Sequence, residues 1–280
     1  MLLRRKIVGV FLRVVGVYSY AEYQRLLGLS LAEKIERAHM VIIEALQRNS
    51  DGGSNAVACS WGKDSIVLVH LVRQFCSKSF VEFNNTGVEY PQTLAYRDLM
   101  LRLWDLESVY VETSPKLSFW ECVDKFGYPH LRRMSKGRNV RAKNGAPACC
   151  RVLKENPDRE FCRGFGVGLK FVGLQANESM ARRLSFLREG ELYFSKHHGM
   201  WMCRPLMIWT DEDVWAYHDL YAIPRNSVYD LMPRNGCMPC TGFKRWREVM
   251  AKAAPALYGK VSRDMGTPLL HDCIFKEETV

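Results

Sequence analysis

The stretch from Asn55 to Phe75 restricts the fold most. An apolar, β-rich run, NAVACS at 55 to 60, passes without a linker into Trp61-Gly62-Lys63-Asp64-Ser65, and IVLVHLVRQF then reads as a helix. A strand that feeds a helix through a short Gly-Lys loop is a phosphate-binding device. Gly62 lets backbone amides approach an anion, the helix N-terminus offers its positive end, and Lys63 adds charge. The loop is not a Walker A sequence, because G-x-x-x-x-G-K-[ST] is absent. The competing interpretation is an ordinary strand-to-helix turn, and Lys63 is expected to be solvated in the ligand-free protein.

The segments on either side extend the pattern. Ser30 with Glu33 forms a capping box ahead of a helix that runs to SDGGS. After the loop come the β-rich FVEFNN, a turn at Thr86-Gly87, a helix from Pro91 to Trp104, the β-rich SVYVET and a short helix, FWECVDKF. A strand at 169 to 174, a hairpin between Leu184 and Trp209, and a helix capped by Thr210 and Asp213 follow. Strands alternating with helices predict an α/β fold, a doubly wound and mostly parallel sheet with its ligand at the carboxyl ends of the strands. The expected organisation is an N-terminal helical region at 1–49, a core domain at 50–245, and an irregular cysteine-containing C-terminal region whose helix and tail occupy 246–280.

At 280 residues the chain is long enough for a full core, and its formal charge of +10 favours polyanionic partners. The basic, apolar start mimics a signal peptide, but Arg13 breaks the run and no convincing cleavage site follows. With no uncharged apolar stretch long enough to span a bilayer, a cytoplasmic protein without a membrane partner is expected, and a homodimer is compatible with the sequence.

Ten cysteines are too sparse for a secreted disulfide scaffold and are better explained by a metal site in a reducing compartment. Cys149-Cys150 precedes Cys237-x-x-Cys240 by 86 residues. Adjacent cysteines diverge, which suits two irons of a cubane better than two corners of one zinc tetrahedron, although zinc and simple thiols remain alternatives. Cys59, Cys76, Cys122, Cys162 and Cys203 sit in apolar patterns and are expected in the core. Between Leu131 and Pro147, Arg132, Arg133, Lys136, Arg138, Arg141 and Lys143 stand without an acidic residue, a nucleic-acid contact or else a solvated loop.

Taken together, these motifs resemble the PP-loop ATP pyrophosphatases, an adenine nucleotide alpha hydrolase-like fold, and within them the phosphoadenylyl sulfate reductase family. The resemblance is carried by Ser60 to Ser65, by Asn85-Thr86-Gly87 through Pro91, and by Gly173-Leu174-Gln175-Ala176-Asn177-Glu178-Ser179 with Arg182 or Arg183. Pro205 through Thr210, Asp213-Val214-Trp215, Ile223-Pro224 and Tyr229-Asp230 add to it. It implies a nucleotide site of Ser60, Gly62, Lys63, Asp64, Ser65, Thr86, Gly87, Gly173, Glu178 and Arg182, with Lys63 and Asp64 serving ATP and Mg²⁺. It also implies a [4Fe-4S] cluster on Cys149, Cys150, Cys237 and Cys240. Two departures stand out: Asn85 replaces a usual Asp, and Gln175 replaces a usual Arg.

The expected function is therefore ATP-dependent sulfur transfer to nucleic acid, tRNA or DNA, with Arg132, Arg133, Arg138, Arg141 and Lys143 gripping the acceptor and a sulfur donor protein as partner. The alternative is reduction of adenylyl or phosphoadenylyl sulfate, with Cys273 as nucleophile and a thioredoxin-like reductant. The tail lacks the family's Glu-Cys-Gly-x-His segment, and His271-Asp272-Cys273 would stand in for it. A non-catalytic iron-sulfur subunit that binds nucleic acid is a third.

Overall fold

The computed structural model describes residues 17–50, 52–129 and 147–266. Arg132, Arg133, Lys136, Arg138, Arg141, Lys143 and Cys273 lie outside these residues, as do Arg13 and His271.

Six strands form one sheet: β1 (Ser54–Ala58), β2 (Phe80–Asn84), β3 (Tyr110–Thr113), β4 (Val167–Val172), β5 (Leu192–Ser195) and β6 (Met200–Cys203). Their order is β3-β2-β1-β4-β6-β5. β1 runs parallel to both β2 and β4, and β4 parallel to β6, while β5 pairs antiparallel with β6 as the closing hairpin. The chain first builds outward from β1 through β2 to β3, then returns to the other side of β1 with β4. That reversal opens a crevice beyond the carboxyl ends of β1 and β4, the usual ligand position in such sheets.

Capping explains several helix starts. Ser30 and Glu33 cap Leu31–Arg48 reciprocally, and the same pairing of Ser19 with Glu22 starts Tyr20–Leu27, a helix the sequence pattern does not single out. The helix after the loop, Lys63–Arg73, buries Ile66, Val67, Leu68, Val69, Leu71 and Val72, so it is apolar almost all round. It packs along β1 and β4 and against the helices Leu31–Arg48 and Asp211–Leu220.

By its contacts the chain divides into two compact units. One comprises the segments up to Phe83, Leu101–Val111 and Cys162–Arg225; the other comprises Asn84–Met100, Glu112–Phe161 and the chain from Asn226 on. The first unit holds most of the sheet and two buried ion pairs. Arg37 grips Glu191 at 2.6 Å and also donates to the Tyr18 hydroxyl, and Lys170 meets Glu82 at 3.0 Å. The second unit packs Phe119, Cys122, Tyr128, Cys149, Leu153, Met250, Tyr258 and Val261 into a core of its own.

Two stretches differ from expectation. The chain from Ala148 to Gly164, to which the sequence pattern assigns no element, is helical, with a π-helical segment over Arg151–Glu155 in which the Asn156 N–H bonds the Arg151 carbonyl. Pro157 hides this helix in the sequence, because a proline inside a helical run normally marks its end or a kink. The hairpin expected from Leu184 to Trp209 is shorter: Met180–Glu189 is helical, and Pro205 ends the strand pattern after Cys203. Among the described residues no helix is long and apolar enough to cross a membrane.

Candidate functional site

The phosphate loop lies at the carboxyl end of β1, in the first unit. Its left-handed residue is Trp61, at φ 57°, and not Gly62, whose φ of −85° any residue could adopt. Such a backbone costs a non-glycine residue about 1–3 kcal/mol. Full burial of the indole beside the Phe83 and Tyr110 rings offsets that cost. Ser65 closes the turn: its Oγ accepts the Gly62 N–H at 3.1 Å and donates to the Gly62 carbonyl at 3.0 Å. Gly173, at the end of β4, lets this turn approach, since a Cβ there would stand 3.3 Å from the Asp64 backbone.

Lys63 is not solvated as expected. Its side chain is 7% exposed, and its ammonium donates to Asp64 at 2.9 and 3.0 Å and to Asp211 Oδ1 at 2.6 Å. Gln175, fully buried, donates through Nε2 to the same Asp64 Oδ1 and, at 3.3 Å, to the same Asp211 Oδ1. The substitution of Gln for a usual Arg is thus matched to its surroundings, because a neutral amide supplies donors to two carboxylates that a lysine already half neutralises. The Gln175 Oε1 is left buried without a partner. Asn85, in the second unit, follows the same logic. Its Oδ1 accepts the Gly87 N–H at 3.0 Å, while its Nδ2 donates to Glu112 at 2.8 Å, where an Asp would meet a second carboxylate.

Asp211 and His218 are the site residues that the sequence motifs miss. Asp213, which belongs to the Asp-Val-Trp motif, is engaged by Lys34 at 2.6 Å and by the Thr210 N–H, leaving Asp211 to face Lys63. His218 Nε2 lies 3.0 Å from the Lys63 carbonyl, and burial holds this imidazole below its ordinary pKa, hence neutral and donating through Nε2. The only sequence hint was the acidic first turn Asp211-Glu212-Asp213. Glu178 and Arg182 form an ion pair in the first unit, one turn of chain beyond Gln175. Ser60 lies at the loop, with its hydroxyl 3.4 Å from that of Ser65.

The second unit gathers the cysteine pairs. Cys149 and Cys150 end the helical turn Ala148–Cys150. Gly242 brings the other segment to them, because a Cβ at Gly242 would lie 3.6 Å from Cys240 Sγ and 3.8 Å from Pro147. A hydrogen bond from Cys149 raises that thiol and pushes Cys150 down to about 7, and burial raises Cys237 and Cys240. The thiols, Cys237 foremost, in turn hold the Lys154 ammonium charged, and Arg234 adds a second cation near Cys150 and Cys240. Thr86 belongs here: its hydroxyl lies 3.5 Å from Cys237 Sγ and donates to Glu89 at 2.7 Å. Among the described residues, no three His, Cys, Asp or Glu side chains are gathered so as to hold a single ion. Of the cysteines expected in the core, Cys59, Cys122, Cys162 and Cys203 are buried, whereas Cys76 is half-buried, three residues past the end of the helix Lys63–Arg73.

The model of the phosphoadenosine phosphosulfate reductase domain matches residues 54–243, the span from β1 to just past Cys240. The chain belongs to this family. It is an enzyme of that family with the PP-loop fold. Among curated relatives, the adenosine 5'-phosphosulfate reductase of Staphylococcus haemolyticus is 29% identical over 194 residues, covering 68% of this chain and 71% of the relative. The adenosine 5'-phosphosulfate reductase of Geobacillus thermodenitrificans is 28% identical over 195 residues, covering 68% and 74%. Among solved structures, the Candida glabrata FMN adenylyltransferase superposes with a TM-score of 0.51 at 11% identity, covering 77% of this chain and 67% of that one, which is a likeness of fold alone.

Proposed function

We propose that the protein is an iron-sulfur reductase of adenylyl sulfate. The observation that carries this reading is the convergence of Cys149, Cys150, Cys237 and Cys240 in one unit beside Lys154 and Arg234, within the span that the family model matches, in a chain whose curated relatives are named for that activity. Four thiolates with two neighbouring cations suit an anionic [4Fe-4S] cluster. When bound, the cluster would supply a rigid cross-link between two distant segments. Ser60, Gly62, Lys63, Asp64 and Ser65, with Gly173, Glu178 and Arg182, would hold the nucleotide. In the reaction a cysteine thiolate, assigned to Cys273, attacks the sulfate sulfur. The sulfur–oxygen bond to phosphate breaks, and AMP leaves with its electron pair, giving S-sulfocysteine. A thioredoxin-type dithiol then attacks the cysteine sulfur, sulfite departs with the bonding pair, and the second thiol closes the disulfide.

A second reading, ATP cleavage followed by sulfur transfer to tRNA or DNA, is favoured by Lys63-Asp64-Ser65 and by the carboxylates at the loop. One experiment separates the two. Anaerobically purified protein is given adenylyl sulfate with thioredoxin, and in parallel ATP and Mg²⁺ with tRNA, with DNA and with neither. Equal release of sulfite and AMP, lost in Cys273→Ser, is expected. Pyrophosphate release stimulated by nucleic acid, without sulfite, would replace the first reading by the second, and a colourless protein carrying one zinc would remove the cluster from both.

A further inference from the structure

We propose that a recess at the far end of the helix Lys63–Arg73, lined by His70, Arg73, Gln74 and Trp104, is a second ligand site, and that it takes a small planar aromatic carboxylate. The helix sets its place. Lys63 opens that helix at the phosphate loop and Arg73 closes it, so about 15 Å of helix axis separates the recess from the loop. The recess lies wholly in the first unit and encloses about 320 Å³, at the lower end of the roughly 300–1,000 Å³ common for small-molecule sites. Half-buried aromatic rings make its walls. The His70 and Trp104 rings stand 5.4 Å apart and are inclined at 41°, and Tyr221 packs on His70 at 4.9 Å. Two ring faces set at an angle offer a flat partner one offset-stacked contact and one edge contact, which a branched aliphatic group cannot use.

Aromatic walls suit either a flat ring or a cation, and Arg73 decides between them. Its Nη1 donates to the Trp104 carbonyl at 2.6 Å, which fixes the guanidinium beside the indole. Among the described residues no acid pairs with it, and its Nε is buried without a partner. A buried N–H that lacks an acceptor is costly. With Nη1 engaged, the edge carrying Nε and Nη2 remains, and two parallel N–H groups match the two oxygens of one carboxylate. His70 adds no charge: burial first, then the Arg73 cation, holds its imidazole below the ordinary pKa, and its Nδ1 meets the Tyr217 hydroxyl at 2.8 Å. The recess therefore carries one fixed positive charge, which repels an ammonium or amidinium ligand. A single arginine balances a carboxylate monoanion, whereas a phosphate dianion calls for a second cation, and none of the described lining residues supplies one. Neither the phosphate loop nor the cysteines contribute to this site, so it holds for either reading of the reaction.

The test compares three probes of nearly equal shape, 4-fluorobenzoate, 4-fluorobenzamide and 4-fluorobenzamidine, each titrated into the full chain and followed by its fluorine resonance. Wild-type protein is expected to bind the benzoate saturably in the millimolar range, the neutral benzamide about tenfold more weakly, and the cationic benzamidine more weakly still. Arg73→Met, which keeps the alkyl stem, should lower the affinity for the benzoate to that for the benzamide. Arg73→Lys, which keeps the charge and loses the fork, should fall between the two. Trp104→Leu should weaken benzoate and benzamide alike by at least about threefold. Circular dichroism checks folding, and the order of the three probes on wild-type protein tests the charge preference without any variant. Three results overturn the proposal: benzamidine bound as tightly as benzoate, equal benzoate affinity in wild type and Arg73→Met, or benzoate binding that does not saturate.

Discussion

Replacing Lys63 by Met separates an engaged lysine from a solvated one. Met keeps most of the stem and its packing, so the change reports mainly on the ammonium. At an effective dielectric constant of about 20, a unit pair about 3 Å apart is worth roughly 5 kcal/mol before costs. Two corrections reduce that figure. Asp211 is 58% exposed, and pairs with such a partner usually retain under about 1 kcal/mol. The pair with Asp64 is better enclosed, at 22% exposure, but returning the ammonium to water recovers much of its desolvation cost. The expected net loss is about 1–2 kcal/mol, which for a unit of this size lowers the unfolding midpoint by about 3–6 °C. The assay is thermal unfolding by far-ultraviolet circular dichroism in metal-free buffer, with Asp211→Asn beside it as the smaller effect. An unchanged midpoint in Lys63→Met would mean that the lysine is solvated, as the sequence alone suggests, and that the ion triad contributes nothing.

Anaerobic protein should be brown, and Ser at any one of Cys149, Cys150, Cys237 or Cys240 should lose iron by metal analysis and lower the midpoint; full iron retention in all of them would remove the cluster assignment. Arg37→Met should cost about 3–5 kcal/mol in urea unfolding, because it strands the buried Glu191, and Arg37→Met/Glu191→Met should recover most of it. A double variant as unstable as the single one would show that packing, not charge, is at stake. For His218 the folded pKa is depressed by burial, so the unfolded chain takes up the proton first as pH falls. Its stabilising effect is therefore present above about pH 6.5 and lost below it. His218→Gln, which keeps a donor for the Lys63 carbonyl, should flatten the acid loss of stability relative to wild type; parallel pH curves for the two proteins would refute that.

The fold was legible where a local pattern coincides with a local physical cause. Ser30 with Glu33, Ser118 with Glu121 and Thr210 with Asp213 start helices wherever the chain lies, because the cap needs only its own turn. β1, β2 and β4 are short apolar runs between turn signals, and the parallel sheet follows from the helices between them. The sequence was silent where a long-range partner decides the outcome. Trp61 adopts a left-handed backbone next to a glycine that could have taken it more cheaply, and only the burial of its indole against Phe83 and Tyr110 explains why.

The site shows the same division more sharply. Motif matching points to Asp213, since it stands in Asp-Val-Trp, yet Lys34, 179 positions earlier, engages its carboxylate. Asp211, two residues before it, then turns to Lys63 instead. No periodicity in the sequence distinguishes these two acids; the choice is made by which cation each meets across the fold. Gln175 and Asn85, which look like losses when set against the usual Arg and Asp, gain a reason for the same cause, since each amide donates to a carboxylate supplied from elsewhere in its own unit. Restoring the usual residue tests that reasoning in one step. Gln175→Arg would bring a second full cation against Asp64 and Asp211 and compete with Lys63 for both, in a pocket with no exposure to take up the longer side chain. If these amides answer to their neighbours, Gln175→Arg should lower stability by about 1–3 kcal/mol in thermal unfolding, and adding Lys63→Met to it should recover part of that loss. An unchanged midpoint in Gln175→Arg would show that the two carboxylates and the lysine do not decide which residue fits there.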